Sequence, residues 1–139
     1  MKKYTFLIDF DNTCAFEEFP NVGNNVPGSI ECLNLIQNAG HDIVLWTCRK
    51  DETLNIAVNW FKKHNIKLAA INDFTPSQKQ RQVYIDYGSP RKVLGDFIID
   101  DKNFGCPKKI YTNNNKQYDC VDWFEIKKLL INNKLIKNA

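Results

Sequence analysis

The sequence contains no Cys-x-x-Cys pair, no glycine-rich phosphate loop, no internal repeat and no apolar run long enough to span a membrane. Each absence removes a class of protein. The five cysteines, Cys14, Cys32, Cys48, Cys106 and Cys120, are odd in number. Neither a disulfide framework nor a zinc ribbon is expected from them, and they read as reduced, structural thiols, with Cys48 as a small buried side chain. Without a Walker or dinucleotide glycine motif, the usual nucleotide cradles are excluded. The Cys-x5-Arg loop of cysteine phosphatases is missing as well, because the arginine would have to stand at Leu54. Met1-Lys2-Lys3 looks like the start of a signal peptide, but the apolar stretch behind it stops at Asp9, so a cytoplasmic protein without membrane association is expected. An excess of one charge is also lacking. With 19 basic and 16 acidic residues the net charge is +3, which permits an anionic substrate and leaves nucleic acid open without demanding it.

What is present is an ordinary globular composition, 43% hydrophobic and 25% charged, over a length of 139 residues that suits one domain, residues 1–139, with one core. A short apolar run from Tyr4 to Ile8 reads as a buried strand. The segment from Cys14 to Val26, with Pro20 and Gly23, reads as an irregular loop or small hairpin overhanging the end of that strand. Ile30, Leu33 and Ile36 recur at helical spacing behind Pro27-Gly28-Ser29 and end at Gly40. A strand from Asp42 to Thr47 follows, then a helix capped by Asp51 with Leu54, Ala57, Val58 and Phe61 on one face, then a strand from Lys67 to Ile71. The alternation predicts an α/β domain: a doubly wound, Rossmann-like parallel sheet of about five strands with helices on both faces. A polar stretch from Asn72 to Lys92, with a helical piece near Gln78 to Asp86, leads to the strand Phe97-Ile98-Ile99. A strand near Lys109 to Thr112 and a helix from about Val121 to Leu135 are expected to complete the sheet and its cover. Trp46, Trp60 and Trp123 fall in apolar patterns and read as core; His41 and His64 stand at element boundaries, where capping or exposure explains them.

Two acidic sets emerge from apolar strands: Asp9 and Asp11 after the first, Asp100 and Asp101 after the strand that ends at Ile99. In open α/β sheets the ligand crevice lies beyond the carboxyl ends of the strands, so these carboxylates are expected to meet there. Such a set suits a hard divalent cation, magnesium above all, held by Asp9, Asp11, Asp100 and Asp101 together with substrate phosphate. With the cation offsetting charge, one aspartate can attack phosphorus and another can move protons. Thr47 offers a hydroxyl at the end of the second strand. Cys48 and Arg49 follow it, and Lys92 supplies a point charge ahead of the second acidic strand; these four are the candidate phosphate-binding residues.

Asp9-Phe10-Asp11-Asn12-Thr13, Thr47, Lys92 and Asp100-Asp101 stand in the order of the four motifs of the haloacid dehalogenase-like superfamily of phosphatases, which the chain resembles over nearly its whole length. The resemblance implies Asp9 as nucleophile, Asp11 as general acid/base, Lys92 as a phosphate-binding lysine, and magnesium on Asp9, the Asp11 carbonyl and the Asp100-Asp101 pair. A carboxylate at position 11 implies hydrolysis of phosphate esters. Gly95-Asp96 followed by Asp100 also fits an alternative form of the fourth motif; Asp100-Asp101 is preferred because Asp96 precedes the apolar run. The chain has no room for a large cap domain, which implies an open site and leaves small or macromolecular phosphorylated substrates, nucleotides and nucleic-acid ends included, and an oligomer, open. A metal-binding or regulatory module with little turnover is the reading from another class.

Overall fold

The computed structural model describes residues 2–87 and 92–137; Gly88, Pro90 and Arg91 of the polar stretch before Lys92 lie outside them. Strand β1, Thr5–Ile8, is buried along its whole length. A strand buried along its whole length needs both faces and both edges covered, and β1 accordingly sits inside the sheet. Strand β4, Asp42–Leu45, pairs with it on one side and β6, Phe97–Ile99, on the other, while β5, Leu68–Ile71, adds beyond β4. The order is β5-β4-β1-β6, and every pairing is parallel.

Because side chains alternate along a strand, the sheet divides the core in two. Phe6, Ile8, Ile43 and Leu45 belong to the larger cluster, which also takes in Leu33 and Ile36 of α1 (Ser29–Asn38), Ala57 and Phe61 of α2 (Asp51–Lys63), and Trp123, Ile126 and Leu130 of α4 (Trp123–Asn132). Leu7 and Val44 form a smaller cluster with Phe74 and Val93, against which Tyr84 of the short helix α3, Gln82–Tyr87, also packs. The cover is therefore unequal: three full helices pack into one cluster, and the second is closed by a 3-10 turn at Gln78–Gln80, a short helix and loop residues.

Two hairpins stand apart from the sheet. Strands β2, Ala15–Glu18, and β3, Asn21–Asn25, make the first, within the segment expected to be a loop or small hairpin. Strands β7, Lys108–Asn113, and β8, Lys116–Val121, make the second, and here the structure departs from expectation. The predicted strand near Lys109 to Thr112 is part of β7 and does not join the parallel sheet, which has four strands among the described residues. The reason lies in the turn. Asn114 and Asn115 both take positive φ, 51° and 63°, the geometry of a two-residue hairpin turn that sends the chain straight back beside itself. The two hairpins also touch: the Phe16 and Tyr118 rings stack at 4.6 Å, and Tyr118 Oη donates to the Glu18 carboxylate.

Two boundary expectations change. Lys50, not Asp51, occupies the cap position of α2, and Thr53 Oγ1 accepts from Lys50 N and donates to Lys50 O. His41 is buried instead of exposed: Nδ1 accepts from Tyr4 N at 3.0 Å and Nε2 donates to Leu135 O at 2.6 Å, which joins the β1 entry to the C-terminal segment.

The register of β6 depends on a close approach just before it. A Cβ on Gly95 would fall 2.5 Å from Leu7 Cγ, whereas glycine lets Asp96 N reach Thr5 O at 2.8 Å. Gly95→Ala is expected to cost about 1–3 kcal/mol of unfolding free energy through overpacking. A lower urea midpoint at an unchanged slope is the readout.

Candidate active site

The carboxyl ends of β1 and β6 lie side by side, and the chain leaves both through aspartate. Asp9 N donates to Ile99 O at 3.0 Å, which continues the strand pairing one residue past Ile8. One oxygen each from Asp9, Asp100 and Asp101 lies within 4.8 Å of the others. Thr13 ties the two strand ends together: its hydroxyl donates to Asp9 Oδ2 at 2.8 Å and accepts from Asp101 N at 3.2 Å. Trp123 Nε1 holds Thr13 in turn, donating to its carbonyl at 2.6 Å.

Three carboxylates this close repel one another, and burial removes the water that would screen them. Asp101 is only 6% exposed. Lys102 Nζ stands 3.9 Å from its carboxylate, on a side chain that is 86% exposed, too solvated to compensate a buried charge. The Asp9 carboxyl is consequently pushed up to about 8, by burial first and next by the charge of Asp100, with the Thr13 hydroxyl pulling the other way. Asp101 is raised too, chiefly by burial.

Asp11 does not join this group. Its carboxylate is held by Arg49, with Nη2 to Oδ1 at 2.7 Å and Nε to Oδ2 at 2.9 Å. Side chains two apart on an ideal strand would point the same way, but β1 ends at Ile8 and the backbone turns at Asn12, whose φ is 59°. The remaining Arg49 donors go to the carbonyls of Pro20 (2.9 Å), Thr53 (3.3 Å) and Asn21 (2.8 Å). All five N–H groups of the guanidinium are thus used within the protein. Its central carbon lies 5.1 Å from the ring centroids of both Phe10 and Phe19. This corrects the expectation that Arg49 binds phosphate: it is 4% exposed and has no donor left to give.

A cleft of about 440 Å³ opens beside the acidic group, lined by Asp9, Trp46, Thr47, Cys48, Asn72 and Asp100. Thr47 and Cys48 are therefore at the site, and Cys48 is exposed there, not buried as expected. Cys14 is the buried thiol behind Asp9: Sγ donates to Asp9 O at 3.3 Å, and burial pushes its ionisation well above the ordinary thiol range. Lys92 is exposed and is not among the residues lining the cleft. It precedes β6 by five residues, on the approach to the amino end of the strand, whereas Asp100 leaves from the carboxyl end. Asp96 lies at that amino end too, with Oδ2 accepting from Thr5 N at 2.8 Å. Lys79 pairs with Asp73 at 2.9 Å, one residue beyond Asn72 in the chain.

Two cleft residues escape the sequence reading. Asn72 holds the Thr47 backbone from both sides, Oδ1 accepting from Thr47 N at 2.8 Å and Nδ2 donating to Thr47 O at 2.9 Å. Its place directly after β5, at the same sheet edge as the aspartates, is the signal that could have found it. Trp46, expected in the core, is half-buried on the cleft wall because the strand it follows ends at Leu45.

No family model and no curated protein matches the chain. A solved structure of a conserved protein from Bacteroides thetaiotaomicron is similar, with a TM-score of 0.72 and 28% sequence identity over 96% of this chain and 93% of that one. Among the described residues no helix is long and apolar enough to cross a membrane.

Arg49→Met leaves Asp11 without its partner and removes the tie to the first hairpin. An unfolding cost of about 2–4 kcal/mol is expected, with part of it recovered when Asp11→Asn is added, as read by urea titration of the two single variants and the double. For the acidic group the sign runs the other way. A carboxyl raised from 3.8 to about 8 keeps in the folded state a proton that the unfolded chain releases, so stability without divalent cations should fall as pH rises through that window. Thermal midpoints in EDTA should drop across it, and Asp100→Asn should flatten the drop.

Proposed function

We propose that this chain is a magnesium-dependent phosphohydrolase of the haloacid dehalogenase-like superfamily, built on a Rossmann-like, doubly wound α/β domain and acting in the cytoplasm on phosphate monoesters. The observation that carries this reading is the convergence of Asp9, Asp100 and Asp101 within 4.8 Å at adjacent parallel strand ends. Among the described residues their charge is met by a solvated lysine 3.9 Å from Asp101, and the donor set fits a hard cation with oxygen ligands. Asp9, Asp100 and Asp101 would hold magnesium, which when bound would offset their charge and that of the substrate phosphate.

Asp9 is the nucleophile. Oδ2 is fixed by Thr13, which orients the carboxylate and leaves Oδ1 to attack. The new Asp9–phosphorus bond forms as the bond to the ester oxygen breaks, and the leaving oxygen takes up a proton. Water then attacks the aspartyl-phosphate, releasing phosphate and restoring Asp9. Thr47, whose backbone Asn72 holds, and Cys48 meet the phosphate in the cleft. Asp11 is the acid/base of the cycle. Since Arg49 N–H groups occupy both of its oxygens, the Arg49–Asp11 pair opens during turnover to let it exchange a proton with the leaving group and the water.

That same pair favours a second reading, a metal-binding module with little turnover, in which Asp11 never leaves Arg49. The experiment that separates them is phosphate release from an aryl phosphate with magnesium. The enzyme reading expects release that EDTA abolishes and that Asp9→Asn lowers about a thousandfold or more. Magnesium-dependent stabilisation with no release from a broad panel of monoesters gives the second reading instead, and release unaffected by EDTA or by Asp9→Asn overturns both.

A further inference from the structure

The three tryptophans differ in how their ring nitrogens are used. Trp123 Nε1 donates to Thr13 O and Trp60 Nε1 to Asn25 Oδ1 at 2.8 Å. Trp46 Nε1 has no protein acceptor among the described residues. The residue is half-buried, and a fully buried indole N–H would need an acceptor. The ring is held from behind. It packs against the cluster of Leu7, Val44, Phe74 and Val93, and it borders the cleft in front, beside Asp9 and Asp100.

The rest of the cleft wall limits what reaches this ring. Asp9, Asp100, Thr47, Cys48 and Asn72 include no basic residue. A polyanionic strand needs lysines and arginines along its backbone, and among the described residues this wall offers none. A cleft of about 440 Å³ instead matches a molecule of metabolite size. A neighbouring hollow around Phe19 and Lys50 contains none of the three clustered aspartates, so a group bound there would lie past Cys48, farther along the surface.

We propose that Trp46 is a specificity-determining residue: the substrate is a small phosphate monoester whose leaving group carries a planar ring, a nucleoside or aryl moiety, which stacks on the indole while the phosphate meets Asp9. This rests on the reading of Asp9 as nucleophile. An aromatic platform tolerates any flat ring and gives no advantage to a branched or open-chain alcohol.

Two measurements test it on the full chain. In the first, kcat/KM is compared for nucleoside 5′-monophosphates, phenyl phosphate and the ring-less glycerol phosphate, with magnesium. The protein should favour the ring-bearing esters about tenfold or more, and Trp46→Leu should reduce that ratio about tenfold, mostly through KM. Trp46→Phe, which keeps a ring, should retain most of it and covers the case in which the leucine variant does not fold. Equal rates on all esters, or a ratio that survives Trp46→Leu, overturns the proposal. Nucleosides and simple aryl groups are separated by their own arms. In the second, indole fluorescence is titrated with phenylphosphonate and with methylphosphonate, which requires no turnover. Phenylphosphonate alone should quench, and the quenching should vanish in Trp46→Phe. If no ester is hydrolysed yet this quenching is seen, the nucleophile reading fails and the ring site stands; no quenching by either phosphonate ends the ring site whatever the turnover.

Discussion

Mutual repulsion among three carboxylates is the constraint around which this molecule is organised. Asp9, Asp100 and Asp101 are brought within 4.8 Å by strand pairing that the core requires for its own reasons, since β1 can be stable only between β4 and β6. The backbone thus forces together groups that would separate if free. The protein answers with two hydrogen bonds through Thr13 and with a raised Asp9 carboxyl, not with a buried cation of its own. Stability is sacrificed at this edge of the sheet, a common mark of a site arranged for chemistry.

The contrast with Asp11 sharpens the point. Arg49 is the one buried basic side chain with a formal charge among the described residues, and it is delivered to the carboxylate outside the acidic group. Enclosed by Phe10 and Phe19, it joins the turn of the first hairpin, the first turn of α2 and the loop after β1. Removing water from both sides of the guanidinium makes each of its hydrogen bonds count for more than a surface bond would. The hairpin that flanks the site is anchored in this way, and the second hairpin leans on it through Phe16, Tyr118 and Glu18. The cleft itself has one wall made by the ends of β4 and β5, where Asn72 grips Thr47.

Much of this was legible in the chain. Apolar runs of three to five residues marked β1, β4, β5 and β6 closely, because a strand buried on both faces leaves little choice of residue. Helix spacing located α1, α2 and α4 to within a few residues. Asp9 and the Asp100-Asp101 pair could be placed at one edge because each directly follows such a strand. Asp11 could not: two-residue periodicity holds only while the strand lasts, and its partner Arg49 is 38 residues away. Arg49 and Trp46 depart from expectation for one shared reason, that a side chain's surroundings are set by segments remote in sequence.

By itself, then, the sequence determined the element order, the parallel sheet and which aspartates leave its strands, since local periodicity and burial demand act over a few residues. Only the tertiary structure decided that Asp9 meets Asp100 and Asp101 while Asp11 meets Arg49, that β7 folds back on β8 instead of extending the sheet, and that Trp46 faces a cleft. Those outcomes depend on where separate strand ends and hairpins come to lie in space, which no local pattern encodes.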